Sequence, residues 1–584
     1  MLLLFIIVDS TLRHWIGALP LVVRLEFKEG ERMLTRAESE FVEDSEVNSR
    51  LVIKTSSFVA TVGDNFLCVT LDYGGNATEP GLLHDKPDLH NPLFAKTLAG
   101  LAPLMVRIGG TYQDLVVYDV GDHLSSEPCS PFIFNESALF SHSGGCLSME
   151  RWDTLNQLFI KTGASVAFGL NALSGRVKSK SESVISSPWN PSNAENLIRY
   201  TRDRAYPVIA WELGNELLGD GVGIRVPAEL YAADVKKLRD IIDKLYQGNA
   251  SKPSVVAPDL MKYGTEFTQK ELSLFLQSLG QDVIDVVTRH LYNLGSGDAK
   301  KEDTMRNVLS SSVAEDEVEN YKSFQRLLNE HDPKIIAWIG ESGGAYHGGQ
   351  HEVTDAFISA FWYLDQLGTA SKYNNQAFCR QTFIGSHYGL VDSSFNPYPD
   401  YYGALLWSQL MGKGVFDVEI QGGTKEVRAY AHCQRSNKGG LTLLVLNYSN
   451  STRHHLNLSL LSNLADESHY ITKHLLAFSE ASSEDMRLEY HMSAPNSNMS
   501  SDVVLLNGQL LLVTASGELP TLAPVKVNSA SPISLEPLTY AYVVIPNANV
   551  PACSSSETSG SQMTVFSLVT VLSVAYLALY CLWL

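Results

Sequence analysis

Residues 207–221 read PVIAWELGNELLGDG, an apolar run that passes straight into Glu212 and then Asn215-Glu216. A second stretch, IIAWIGESGGAYHGG at 335–349, repeats the plan: an apolar run, then Gly340, Glu341 and more glycines. Each reads as a short buried strand delivering a glutamate at its carboxyl end. A lone Asn-Glu more often marks a helix N-terminus with a favourable acid, and a lone Glu before glycines is more often a solvated turn. Two such strand ends in one chain are more informative than either alone. Residues just past the strands of a (β/α)8 barrel face its catalytic mouth.

Outward from these two runs, the chain alternates apolar or β-branched stretches with helical ones. Candidate strands are Asn65–Leu71, Leu104–Ile108, Ser165–Leu170, Val208–Leu213, Ser254–Ala257, Val283–Thr288, Ile335–Ile339 and Gln381–Tyr388. Between them, Val235, Leu238, Ile241, Ile242 and Leu245 recur at helical spacing on one face. TDAFISAFWYLDQLG (354–368) opens with a Thr/Asp cap signal and predicts a helix. Eight strands alternating with helices predict an α/β fold, a (β/α)8 TIM barrel over 63–412. A doubly wound open sheet is the alternative, but no GxGxxG or Walker motif supports it. Beyond 413, runs such as GLTLLVLNYS and LTYAYVVIPN are strand-like and separated by Asn, Ser and Gly, which predicts an accessory β-sandwich over 413–553. Residues 46–62 are expected to add a strand to it.

Paired carboxylates flanking one bond are the working parts of most glycosidases. Counting candidate strands, Glu216 follows the fourth and Glu341 the seventh. A retaining enzyme requires carboxyl groups about 5 Å apart, an inverting one about 6.5–9.5 Å. The ends of other strands present His290 and Tyr292 (HLYNLG), Asp72 (TLDYGG), Thr111 (RIGGTYQD) and Tyr388 (FIGSHYGLVD) as candidate sugar contacts. For His290, a hydrogen-bonded core histidine is an equally good reading.

The chain has 584 residues, 45% hydrophobic and 18% charged, with a net charge of −20. It is long enough for two or three packed domains. Its acidity excludes nucleic acid as a partner class and argues against a broad basic surface. No cysteine spacing fits a structural zinc, and neither a metal nor any other cofactor is expected. Seven N-x-S/T sequons, at Asn76, Asn135, Asn249, Asn447, Asn450, Asn457 and Asn498, suit a secreted glycoprotein. Cys129 with Cys146 and Cys433 with Cys553 are the expected disulfides, buried free thiols being the alternative. Residues 554–584 combine a small polar segment, SSSETSGSQ, with an uncharged apolar tail. This predicts membrane attachment through a C-terminal lipid anchor, or else through a hydrophobic tail. The expected location is the secretory pathway and cell surface, or a lysosomal or vacuolar membrane. The run MLLLFIIV lacks a basic flank, so residues 1–45 are set aside as an N-terminal or signal region.

Taken together, TLDYGG, MVRIGGTYQDLVVYDVGD, WELGNELLG, HLYNLG, WIGESGGAY, FWYLDQLG, CRQTFIGSHYGLVD and PDYYGALLWSQLMGKGV resemble the heparanase-like proteins of plants, relatives of animal heparanase and of β-glucuronidases. The resemblance spans about residues 46–553 and implies the same barrel with a sandwich built from both ends of the chain. It implies Glu216 as proton donor, Glu341 as nucleophile, and Asp72, Thr111, Asn215, Tyr292 and Tyr388 as substrate contacts. It further implies that the loop Ala345-Tyr346-His347-Gly348-Gly349 binds a glucuronate carboxylate largely through backbone groups. His347 stands where the animal enzyme has glycine. The segment 115–150 is compact and bracketed by cysteines, so excision of a linker there is not expected. The implied partner is a glucuronic-acid-containing glycan or proteoglycan. A catalytically silent glycan-binding protein on the same fold is the competing reading.

Overall fold

Strands buried on both faces read as largely apolar runs, and parallel barrel strands are of that kind. Leu104–Gly109 and Val286–Leu291 are buried at every position. In the computed structural model, described over residues 45–554 except 75–81, 83–86, 122–128, 180–182, 250 and 463–484, eight such strands close a parallel barrel. In chain order they are Leu67–Asp72, Leu104–Gly109, Ala164–Leu170, Val208–Leu213, Ser254–Leu260, Val286–Leu291, Ile336–Ser342 and Asn375–Arg380. Each pairs in parallel with the next, and the eighth pairs with the first. Alternate side chains, among them Cys68, Met105, Ala167, Ala210, Val256, Val286, Trp338, Ala377 and Cys379, pack together as a separate cluster. The helix Ala228–Leu245 buries the five apolar residues that its period had marked.

Two elements fall elsewhere than the sequence predicts. The eighth strand is Asn375–Arg380, not Gln381–Tyr388. Its text, NQAFCR, carries Asn375, Gln376 and Arg380, which hide a strand from a hydrophobicity reading. Arg380 is nevertheless fully buried, 2.9 Å from Asp400 and facing the rings of Trp362 and Tyr363. Gln381–Tyr388 is instead the loop beyond it, ending in a short turn at Ser386–Tyr388. The predicted helix at 354 begins only at Ser359. Thr354 and Asp355 do not cap it. They bond across to the loop after strand eight, where Thr354 Oγ1 donates to the His387 carbonyl at 2.6 Å.

Both expected disulfides are present. A third, Cys68–Cys379, links two residues 311 apart in sequence that face each other across barrel strands one and eight. Within 115–150, Val116–Asp119 pairs in parallel with Gly145–Ser148.

The sandwich is assembled from both ends of the described chain. Ser45–Lys54 lies between Met411–Gln421, antiparallel, and Thr452–Leu461, parallel. Its core includes Leu51, Ile53, Phe416, Leu443, Val445, Leu456, Ala541 and Val543. Leu441–Asn447 and Thr539–Ile545 are buried at every position. Alternation explains this: Leu443 and Val543 face the sandwich core, while Leu444, Leu446, Tyr540 and Tyr542 join the large barrel core. Tyr542 Oη donates to the Gly403 carbonyl at 3.0 Å. No helix among the described residues is long and apolar enough to cross a membrane. The tail at 555–584 and the N-terminal region through residue 44 lie outside them.

Of the sequons, Asn135, Asn249, Asn450, Asn457 and Asn498 are exposed. Asn447 is not. It is fully buried, and its amide donates to the carbonyls of Thr452, Leu535 and Glu536, so it has no room for a glycan.

Candidate active site

The fourth strand ends at Leu213, and Gly214 turns the chain with φ 72°. Glu216 follows with φ 56°, a left-handed conformation rare for a side chain with Cβ. Such positions cost of order 1 kcal/mol and persist where the surroundings enforce them. Here Asp114 enforces part of it. Its buried carboxylate accepts the backbone N–H of Asn215 at 2.8 Å and of Ala172 at 2.7 Å.

Glu216 and Glu341 meet at one face of the barrel, with one oxygen of each within 4.8 Å of the other. His290, from the end of strand six, lies between them. Its Nδ1 is 2.5 Å from Glu216 Oε1 and 3.8 Å from Glu341 Oε2. Its Nε2 is 2.8 Å from Asp259 Oδ1, a close ion-pair contact without the alignment of a good hydrogen bond. On its other side, Glu341 accepts the Tyr292 hydroxyl.

Beneath both lies Arg107, in the middle of strand two and fully buried. Its guanidinium donates to Glu212 at 2.7 and 3.2 Å, to Asp259 and to Asn215 at 3.0 Å, and to Glu341 Oε2 at 3.2 Å. Arginine suits this place because its planar fork serves several acceptors and keeps its charge when buried.

The charges set the protonation. Burial pushes Glu216 above the usual carboxylate range, and the nearby Glu341 and Asp259 add to this against the pull of His290. Burial would lower His290, but Asp259, Glu341 and Glu216 outweigh it and hold the imidazole protonated. Burial raises Glu212 to about 7 despite Arg107, and raises Asp114 to about 7 despite its two backbone donors. Burial also opposes ionisation of Asp259, yet His290 and Arg107 hold it below its ordinary value. Two buried cations thus face more carboxyl groups than they can neutralise, and protons remain on the acids least well served.

The remaining predicted contacts are placed unequally. Tyr388 and Tyr292 flank Gly343, where an added Cβ would lie 2.7 and 2.9 Å from their rings. Asp72 accepts the side-chain amide of Gln381. Thr111 opens the turn after strand two, half-exposed and outside the bonded cluster. Tyr346 and His347 are exposed, the latter paired with Asp298 at 2.8 Å. Gly348 holds φ 87°, a backbone conformation that favours glycine. Of the other members of the cluster, Glu212 stood in the run before Asn215-Glu216 without a role, and Arg107, Asp114, Asp259 and Gln381 went unnoticed in the sequence. Four of the five signalled themselves, as charged residues inside or just beyond apolar strand text such as LMVRIG and VVAPDL.

Among the described residues, two sets of three ligating side chains converge: Glu216, His290 and Glu341, and the separate group His351, Asp355 and His387.

Comparison with known proteins agrees with this arrangement. The profile of the glycosyl hydrolase family 79 N-terminal domain matches residues 48–368. Heparanase-like protein 3 of Arabidopsis thaliana is 39% identical over 87% of this chain and 95% of its own. Baicalin-beta-D-glucuronidase of Scutellaria baicalensis is 36% identical over 84% and 90%. Heparanase of Mus musculus is 29% identical over 84% and 92%. Among solved structures, the GH51 arabinofuranosidase of Xanthomonas axonopodis pv. citri shares the fold with TM-score 0.60 at 13% identity, over 86% of this chain and all of its own. With a profile match over more than half of its length and such relatives along nearly all of theirs, the chain belongs to glycosyl hydrolase family 79 and is a glycosidase.

Proposed function

We propose that this glycosidase cleaves β-glucuronidic linkages in glycans or proteoglycans with retention of configuration, Glu216 serving as proton donor and Glu341 as nucleophile. The observation that carries this is the pair itself. Their closest oxygens lie within 4.8 Å, a spacing that fits a direct displacement better than one leaving room for a water. Their environments also differ as the roles demand. Burial shifts Glu216 toward its protonated form, while Glu341 receives hydrogen bonds from Arg107 and Tyr292.

In the first step a Glu341 oxygen attacks the anomeric carbon, and the bond to the leaving oxygen breaks as Glu216 protonates it. In the second, Glu216 takes a proton from water, whose oxygen displaces Glu341 from the anomeric carbon. His290, 2.5 Å from Glu216, favours the ionised form that the second step needs. Asn215 spends its carbonyl on Arg107, which leaves its amide to donate to a sugar hydroxyl. Asp72, Thr111, Tyr292, Tyr346 and Tyr388 are the further proposed contacts, with His347 and Gly348 on the loop that would receive the sugar carboxylate. The names of the heparanase and baicalin-glucuronidase relatives support a glucuronide as substrate. We place the protein at the cell surface or in another membrane of the secretory pathway, held by a lipid anchor or hydrophobic tail. The segment SSSETSGSQ and the apolar tail after it support that reading.

The test is release of 4-nitrophenol from 4-nitrophenyl β-D-glucuronide, with the sugar anomer followed by NMR. Turnover giving the β-anomer first, and its loss in Glu341→Gln, is expected. First release of the α-anomer, or full activity of Glu341→Gln, would sink the assignment.

A further inference from the structure

The loop after barrel strand seven turns tightly at residues 350–355 and carries His351 and Asp355. The loop after strand eight carries His387. His351 Nδ1 lies 2.9 Å and His387 Nδ1 3.1 Å from the same oxygen, Asp355 Oδ2. We propose that His351, Asp355 and His387 bind one divalent transition-metal ion, with zinc the best chemical match, and that this ion clamps the two loops together.

Four observations support the site. First, the donor set is right. Two imidazoles and one carboxylate with a fourth position open to water suit a tetrahedral zinc, whereas calcium and magnesium prefer oxygen donors alone. Second, the distances are right. All three ligating atoms lie within 4.8 Å of one another. A tetrahedral ion with bonds of about 2.0–2.1 Å holds its ligand atoms roughly 3.3 Å apart, so small side-chain rotations admit it. Third, the carboxylate is prepared. Asp355 is almost fully buried, and its second oxygen accepts the Glu352 backbone N–H at 2.6 Å. An outer bond of this kind orients a metal-binding carboxylate. The two histidine side chains are 71% and 53% exposed, which leaves the site open to an arriving ion.

Fourth, the frame is already built. The His387 N–H donates to the Gly348 carbonyl at 2.7 Å, and Thr354 Oγ1 donates to the His387 carbonyl at 2.6 Å. The Gln350 N–H in turn donates to Thr354 Oγ1 at 2.7 Å. The ligands are therefore positioned before any ion arrives, and little ordering is required on binding. Gly349 sits in the same corner, where an added Cβ would meet Thr354, the His387 backbone and the Tyr388 ring. A bound ion would thus rigidify the wall that carries Tyr388.

The untagged full chain, stripped of metal and titrated with Co(II), tests this. One equivalent should give the visible d–d bands of a tetrahedral site, displaced by Zn(II), and Zn(II) should raise Tm. His351→Asn and His387→Asn should each weaken Co(II) binding by about tenfold or more and abolish the zinc-dependent Tm rise. Glu341→Gln should leave the bands unchanged, which separates this site from the Glu216–His290–Glu341 cluster and from the glycosidase reading. Metal-free His351→Asn should match the metal-free parent in Tm and glucuronide turnover, showing an intact fold. No bands in the parent chain, or bands that persist in the double variant, would overturn the proposal.

Discussion

Arg107 reaches up through the barrel to place its Nη1 3.2 Å from Glu341 Oε2 while its Nη2 and Nε hold Glu212. One cation therefore ties the proposed nucleophile to the strand that delivers the proposed acid. Arg107→Met would leave Glu212 and Asp259 buried without it. Breaking one partner out of such a network costs about 3–5 kcal/mol. Urea unfolding should show that loss, and a change under about 1 kcal/mol would mean that the network carries no net charge pairing.

Tyr292 donates its hydroxyl to the other oxygen of Glu341. Tyr292→Phe removes one of the two hydrogen bonds that orient this carboxylate, the other coming from Arg107. The kcat for a β-glucuronide should fall by about tenfold or more. An unchanged kcat would show that Tyr292 does not act through the carboxylate.

Stability should depend on pH in a direction set by the buried acids. Glu212 and Asp114 titrate near 7 when folded, above their ordinary values of 4.5 and 3.8. Unfolding then releases protons between roughly pH 4 and 7, so their contribution is complete below that window and lost as pH rises through about 7. His290, also raised, acts in the same sense over its own range above 6.5. Asp259, lowered, acts oppositely, and its contribution is lost as pH falls through its depressed value. Chemical denaturation should find the protein more stable at pH 5 than at pH 8, and Asp114→Asn should flatten that slope. Equal stability at both values would contradict the assignments.

The Cys68–Cys379 bridge closes the barrel between its first and last strands. Replacing both cysteines by alanine should cost about 2–5 kcal/mol in urea unfolding. Peptide mapping without reductant should recover the two cysteines linked, and recovery of free thiols would refute the bridge.

Much of the fold was legible because the barrel strands are short apolar words between periodic helices. Seven of the eight strands lie where that pattern puts them. The eighth escaped because Asn375, Gln376 and Arg380 make its text polar, and Arg380 is buried only by virtue of Asp400, twenty residues on. The Cys68–Cys379 pairing was illegible for a related reason, since nothing local joins residues 311 apart. In the site, the two glutamates stood out through their strand-end glycines and asparagine. The supporting charges did not, because an arginine within LMVRIG has meaning only once Glu212, Asp259 and Glu341 surround it. Thr354 and Asp355 looked like a helix cap for the same reason. Their real partners, His351 and His387, include one on a different loop.

The strands Leu441–Asn447 and Thr539–Ile545 show one face to each hydrophobic core. The sandwich is therefore not cargo that could be exchanged or cut away. A chain ended near 412 would bare on the barrel the flank that Leu444, Leu446, Tyr540 and Tyr542 now cover, inviting aggregation. Barrel and sandwich should be inherited as one piece and should melt in one transition.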